Sequence, residues 1–209
     1  YELSIKSIGD NKVFKDCLGQ SQNTHLLALL SDGGVHSHIN HLIAMAKIAK
    51  LANKKVFIHM ITDGRDVAPT SAKKYLQQII DICDEDIKIA TIAGRYYTMD
   101  RDNRWDRIQK GHDAMALAFP KTSLSPIDFI ESSYKEDVYD EFIIPSAFEG
   151  YEGLKENDSI IFCNFRSDRM REISSVFADK NFSHFPKFAQ KLNIATMTFL
   201  NSIPSIISI

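Results

Sequence analysis

Short, almost wholly apolar runs alternate along this chain with stretches in which apolar residues recur every three or four positions. The run at 26–30 predicts a strand covered on both faces, ending in the turn Ser31-Asp32-Gly33-Gly34. Leu42, Ile43, Ala46, Ala49 and Ala52 then keep the spacing of one apolar helix face, with Ser37 as the expected N-cap. The run at 56–61 predicts a second strand, closing on Thr62-Asp63-Gly64-Arg65-Asp66. Pro69 is expected to open the helix that carries Leu76, Ile79 and Ile80. A third strand at 87–92 closes on Ala93-Gly94-Arg95, and a helix from Trp105 to about Ala118 is broken by Pro120. Residues 121–159 carry little periodicity and read as a peripheral subregion. Strand character returns at 160–164, ahead of Phe165-Arg166-Ser167-Asp168. A further helix is expected from near Asp168, and a last strand at 194–199.

Strands separated by amphipathic helices predict crossover units, hence an α/β fold with a mainly parallel sheet covered by helices. The 209 residues suit one large or two small domains. A chain of this size buries roughly 70% of its unfolded surface without a metal or disulfide staple. A net charge of -2, from 25 basic and 27 acidic residues, argues against a dedicated nucleic-acid binder. Cys17, Cys83 and Cys163 are odd in number and widely spaced, which fits neither a disulfide framework nor a zinc cluster. They point to a reducing compartment, the cytoplasm. No run approaches 18 apolar residues, so no membrane span is expected, and residues 1–9 lack the pattern of a signal peptide. The chain starts at Tyr1, and a fragment or excised domain is the expectation.

Arginine placement carries the chemistry. Arg65, Arg95, Arg101, Arg104, Arg107, Arg166, Arg169 and Arg171 all lie just after a predicted strand or in the segment that follows one, whereas lysines are scattered. Ligands of open parallel sheets bind beyond the carboxyl ends of the strands, and guanidinium forks match carboxylate and phosphate oxygens. A small dianion or trianion is the expected ligand, against the plainer reading of surface solubility. An arginine at position 169 would sit at the positive end of a helix starting at Asp168, a penalty that a bound phosphate reverses. Pairing of Arg169 with Asp168 or Glu172 is the structural alternative.

His36 follows the glycines of the first turn and falls at the expected active edge, able to donate a hydrogen bond or shuttle a proton. His38 and His41 share a helix face with no third ligand, so capping or packing is expected of them rather than metal binding. In the second turn Arg65 is a candidate anion clamp and Asp66 a candidate base or hydroxyl acceptor, with orienting Arg65 or capping a helix as its plainer role. Asp63 is expected to be structural. Arg95 and Arg101 lie on one loop with Tyr96 and Tyr97, where acidic neighbours make base stacking a poor reading.

Four blocks together resemble the cofactor-independent phosphoglycerate mutase family: SDGGVHSHINHL at 31–42, TDGRD at 62–66, AGRYYTMDRDNRW at 93–105 and NFRSDRMRE at 164–172. The resemblance implies a single-chain isomerase that interconverts 3-phosphoglycerate and 2-phosphoglycerate in glycolysis and gluconeogenesis. It implies an alkaline-phosphatase-like domain, with a serine nucleophile and two divalent metals taken as manganese, into which a second α/β domain is inserted. This chain resembles that insert, at 20–194, with connections at 1–19 and 195–209. By resemblance, His36, Arg65, Asp66, Arg95 and Arg101 surround the glycerate, Arg166 and Arg169 lie nearest the phosphate, and Asp66 is the catalytic candidate for the hydroxyl proton. No metal site is implied within this chain. The implied partners are the two phosphoglycerates and the covalently linked metal-binding domain, with neither nucleic acid nor membrane. Phe199-Leu200-Asn201 departs from the family's tyrosine-containing return connection. The chain alone is expected to be inactive, and a free-standing anion-binding or regulatory module is the alternative.

Overall fold

The computed structural model describes residues 10–19 and 21–198, and the backbone of 207–208. The outer parts of the two expected connections, and the end of the expected last strand at Phe199, lie outside the described residues. The strands are β1 (Asn23–Leu30), β2 (Lys55–Thr62), β3 (Ile87–Gly94), β4 (Lys121–Thr122), β5 (Ser146–Phe148), β6 (Ser159–Phe162), β7 (Asn193–Thr196) and β8 (Ile207–Ser208). They form one sheet in the order β4-β5-β3-β2-β1-β6-β7-β8, parallel throughout except where β5 runs against β3. The helices are α1 (Lys12–Gly19), α2 (Ile39–Leu51), α3 (Ala72–Ile80), α4 (Arg95–Thr98), α5 (Trp105–Leu117), α6 (Pro126–Lys135) and α7 (Arg171–Ala178). This is the expected α/β architecture.

The apolar strands are apolar because they face two cores. Leu26, Ala28 and Leu30 of β1 join Phe14, Leu42, Met45, Leu76 and Ile79 on one face. Leu27 and Leu29 join Ile108, Met115, Met170, Ile173 and Val176 on the other. Alternate residues of a strand point to opposite faces, so a strand sandwiched between helices has no polar side to display. β1 and β2 pair in parallel from Asn23↔Lys55 to Leu30↔Thr62, which brings their carboxyl ends, and that of β3, to one edge.

Residues 121–159, read as peripheral, do reach the edge of the sheet with β4, whereas three expected helix starts need correction. Residues 121–159 supply β4, α6, a 3-10 turn at Asp140–Phe142 and β5. Scattered apolar anchors, Ile130, Ile143, Ala147 and Phe148, reach the cores, and polar contacts that leave no apolar period order the rest. Ser125 caps α6 by accepting from Asp128 N at 3.2 Å. The buried Asp140 accepts from Ser71 N and Ala72 N, both at 2.9 Å. Pro69 does not open α3, which starts at Ala72 and is capped by that distant aspartate. Ser37 is not the cap of α2 either, because its hydroxyl donates to Leu29 O while His38 accepts from Asn40 N at 3.2 Å. Finally, residues 168–170 form a turn, closed by Met170 N donating to Ser167 O at 3.1 Å, and α7 begins only at Arg171.

Candidate anion-binding site

The carboxyl ends of β1, β2 and β3 lead into the three loops singled out above, and the 3-10 turn lies across two of them. Gly94 N donates to Ile143 O at 2.7 Å, and a Cβ at Gly94 would collide with the Glu141 carbonyl. Gly64 has φ +71°, and a Cβ there would lie 2.9 Å from Glu141 N. Only glycine tolerates both the close approach and the left-handed backbone. This packing sets Glu141 and Phe142 over a cleft of about 360 Å³, lined also by Arg65, Arg95, Arg107 and Arg169.

Asp63, fully buried, shapes the second loop by accepting from Arg65 N at 3.1 Å and Asp66 N at 3.0 Å through one oxygen. That local ring fits its expected structural role. The same oxygen and Asp66 Oδ2 accept from Arg95 Nη1, at 2.5 and 2.8 Å. Arg95 is only 3% exposed. Burial alone would discourage its charge, but the two carboxylates outweigh that and raise its pKa. Arg65 reaches Glu141 Oε1 at 3.3 Å across the cleft mouth.

The first and fourth blocks meet beside this. Phe165 N donates to His36 O at 2.8 Å, which joins the two loops. His36 is 4% exposed, and its pKa is lowered mainly by burial and then by Arg95, against the pull of Asp168 and Asp66. It is therefore a neutral ring at pH 7, within electrostatic reach of both acids. Asp168 accepts from Arg101 Nη1 at 2.9 Å, pairs with Arg166 Nε at 3.0 Å, and lies 3.8 Å from His36 Nδ1. Burial pushes the Asp168 carboxyl up, yet Arg166, His36 and Arg101 together bring it below its ordinary value.

Arg169 donates to Met99 O at 2.8 Å. Its pKa is lowered first by burial and then by Arg95, Arg101 and Arg65. Three other arginines thus lie within electrostatic reach of it, and Asp168 offsets them in part. His36 Nδ1 and Arg95 Nε are buried with no hydrogen-bond partner in the protein, as are the carboxylate oxygens Asp63 Oδ2, Asp168 Oδ1 and Glu172 Oε2, so both donors and acceptors in this region remain to be satisfied.

The loop carrying Arg101 is held by acids. Asp100 accepts from Asp102 N at 2.9 Å and Arg104 N at 3.0 Å, and Glu172 accepts from Asn103 N at 2.9 Å. Burial raises the Glu172 pKa to about 7; the Asn103 bond opposes this and Asp100 and Asp102 add to it. Arg107 pairs with Asp100 at 3.3 Å and stacks 3.7 Å from the Tyr96 ring.

All seven residues singled out for ligand binding thus gather at one sheet edge: Arg65, Arg95 and Arg169 line the cleft, and His36, Asp66, Arg101 and Arg166 stand next to it. Arg104 and Arg171 do not line it. Sequence reasoning missed Asp168 as the partner of two arginines, and missed Glu141, Phe142 and Asp100. Asp168 could have been found from its place between Arg166 and Arg169, but nothing in 121–159 marks Glu141. His38 caps α2 and His41 packs edge-on to Phe165, with ring centroids 6.0 Å apart. Among the described residues no group of three or more His, Cys, Asp or Glu side chains could hold a metal ion, and no helix is long and apolar enough to cross a membrane.

The model of the BPG-independent PGAM N-terminus matches residues 3–202. Over 198 residues, covering 94% of this chain, the sequence is 64% identical to 2,3-bisphosphoglycerate-independent phosphoglycerate mutase of Aliarcobacter butzleri. It is 54% identical over 196 residues to the protein of the same name in Sulfurimonas denitrificans. In each case the chain spans 40% of the relative's length. The crystal structure of Leishmania mexicana phosphoglycerate mutase at low cobalt concentration superposes with a TM-score of 0.86 at 29% identity, covering 94% of this chain and 40% of that one.

Proposed function

This chain belongs to the 2,3-bisphosphoglycerate-independent phosphoglycerate mutase family, and from that premise we propose that it is the part of such an isomerase that holds the phosphoglycerate. The observation that carries the reading is the convergence of Arg65, Arg95, Arg101, Arg166 and Arg169 from three loops on one small cleft. Guanidinium forks set around a neutral histidine suit an ion carrying both a carboxylate and a phosphate. Arg166 and Arg169 take the phosphate; His36, Arg65, Asp66, Arg95 and Arg101 take the glycerate.

In this reading the phosphate passes to a serine on the part of the enzyme beyond this chain, and returns to the other hydroxyl of the retained glycerate. Positioning and charge neutralisation supply most of the acceleration in phosphoryl transfer, and the arginines are placed for both. Asp66 receives or returns the hydroxyl proton. Its Oδ2 is tied to Arg95, which holds the carboxylate in one orientation. Two divalent metals, manganese by resemblance, belong with the serine. The guanidinium-rich cleft does not fit a cation. Such a reaction places the enzyme in glycolysis and gluconeogenesis in the cytoplasm, a compartment that suits the free thiols of Cys17, Cys83 and Cys163.

We take 20–194 as the substrate-binding domain, with the flanking segments as its two connections. Ser159 Oγ donates to Cys17 O at 2.6 Å and Cys17 Sγ to Asn193 O at 3.6 Å, so the incoming and outgoing segments run close to each other. A free-standing anion module is disfavoured, because the relatives matched are mutases two and a half times as long as this chain.

Calorimetry of 3-phosphoglycerate against sulfate tests the reading. Arg166→Ala and Arg169→Ala should each weaken phosphoglycerate binding by roughly 10- to 100-fold, the range expected for a lost charge-assisted hydrogen bond. Affinities equal to that of the parent chain in both variants would rule out their proposed role.

A further inference from the structure

Asp168 faces at once three of the groups assigned to the ligand. Its Oδ2 accepts from Arg101 Nη1 at 2.9 Å, its Oδ1 lies 3.0 Å from Arg166 Nε, and the same oxygen is 3.8 Å from the buried, unpartnered Nδ1 of His36. A planar carboxylate between two guanidiniums occupies a donor of Arg101 and balances the charge of Arg166, which a bound carboxylate or phosphate would otherwise do. Asp168 sits in the turn at 168–170, outside the helix, with its side chain 31% exposed, so rotation about χ1 can carry the carboxylate away without unwinding α7. The neighbouring Arg169 has its Nη1 on a backbone carbonyl instead, and its charge is opposed by Arg95, Arg101 and Arg65.

Resting on the reading above, we propose that Asp168 is an internal stand-in for the ligand's anion, which an arriving phosphate displaces from Arg101 and Arg166. The carboxylate keeps two half-exposed arginines aimed into the site. It also imposes a threshold, since a ligand must outcompete a tethered monoanion, and a dianionic phosphate does so more readily than a singly charged one. Asp168 is then a positioning residue that sets which anions enter.

The sign of one substitution separates this from simple bracing. Asp168→Asn keeps the shape and removes the charge, whereas Asp168→Glu keeps the charge. With sulfate, inorganic phosphate and 3-phosphoglycerate as probes, Asp168→Asn should bind each about tenfold more tightly than the parent chain, a modest gain because solvent screens the pair. Asp168→Glu should bind like the parent. If Asp168 merely braces the arginines, Asp168→Asn binds equally or more weakly, and the proposal is overturned. A second measurement needs no variant: in the parent chain the carboxylate 13C resonance of Asp168 should shift with the same midpoint as sulfate binding, and a resonance that stays put overturns the proposal. Tighter sulfate and phosphate binding by Asp168→Asn, with no chain preferring 3-phosphoglycerate to sulfate, would support the displacement while sinking the phosphoglycerate reading.

Discussion

Glu172 is 8% exposed, with Asp100 and Asp102 nearby, and burial brings its pKa to about 7 from an ordinary 4.5. In the folded chain it keeps a proton that the unfolded chain releases between pH 4.5 and 7, so its contribution to stability falls as pH rises through that window. Glu172→Gln, neutral throughout, should flatten that part of the profile by about 1–3 kcal/mol, checked by urea unfolding at pH 5 and pH 7.5. An unchanged slope would show that Glu172 is ionised at both. At this scale the sequence was informative about cations and poor on acids. Arginines declare themselves by type and by position after a strand. Asp63 is legible as a turn residue, but Asp100, Asp168 and Glu141 look like any surface acid until the fold reveals which cation or backbone N–H each one meets.

At the scale of elements, the strands and helices built from apolar periodicity were legible: β1, β2, β3, α2 and α5 stand where the pattern put them, with ends shifted by a few residues. The segment from β4 to β5 was not, because Asp140 orders it through hydrogen bonds to residues far away in the sequence. That carboxylate joins α3, through Ser71 N and Ala72 N, to the Tyr134 hydroxyl at the end of α6. Burial raises its pKa, against the hydrogen bonds from Tyr134, Ala72 and Ser71. Asp140→Ala removes a helix cap and strands a half-buried tyrosine hydroxyl, and should cost about 2–4 kcal/mol in thermal or urea unfolding. The loss should reach the cleft too, by loosening the adjoining Glu141. A variant as stable as the parent would show that α3 and α6 hold together without it.

Across the whole molecule, one polar line runs through the sheet. Asp158 Oδ2 accepts from His25 Nε2 at 3.1 Å, His25 Nδ1 faces His59 Nε2 at 2.9 Å, and His59 Nδ1 faces Thr91 Oγ1 at 2.9 Å. The carboxylate fixes the direction. If His25 donates to Asp158, its other nitrogen must accept from His59, whose remaining nitrogen accepts from Thr91. Every member is satisfied with both rings neutral. Burial lowers both histidine pKa values, against Asp158 for His25 and with help from His25 for His59. Below about pH 6.5 the unfolded chain therefore takes up protons that the folded sheet refuses. Stability should be full above that pH and fall with acid, by up to about 1.4 kcal/mol per pH unit for each ring. Chemical unfolding from pH 7.5 to 5.5 checks this, and a flat profile in a chain also carrying Glu172→Gln would refute it. Composition placed seven histidines in the chain and could not show that two of them form a relay across neighbouring strands.

The neighbouring paths of α1 and β7 have an architectural consequence. The two paths meet where Cys17 touches Asn193 and Ser159. If the two connections proposed above start from that meeting point, a host protein would need to open a gap of only about 5–10 Å at a surface turn to receive the sheet and its arginines as a single cassette.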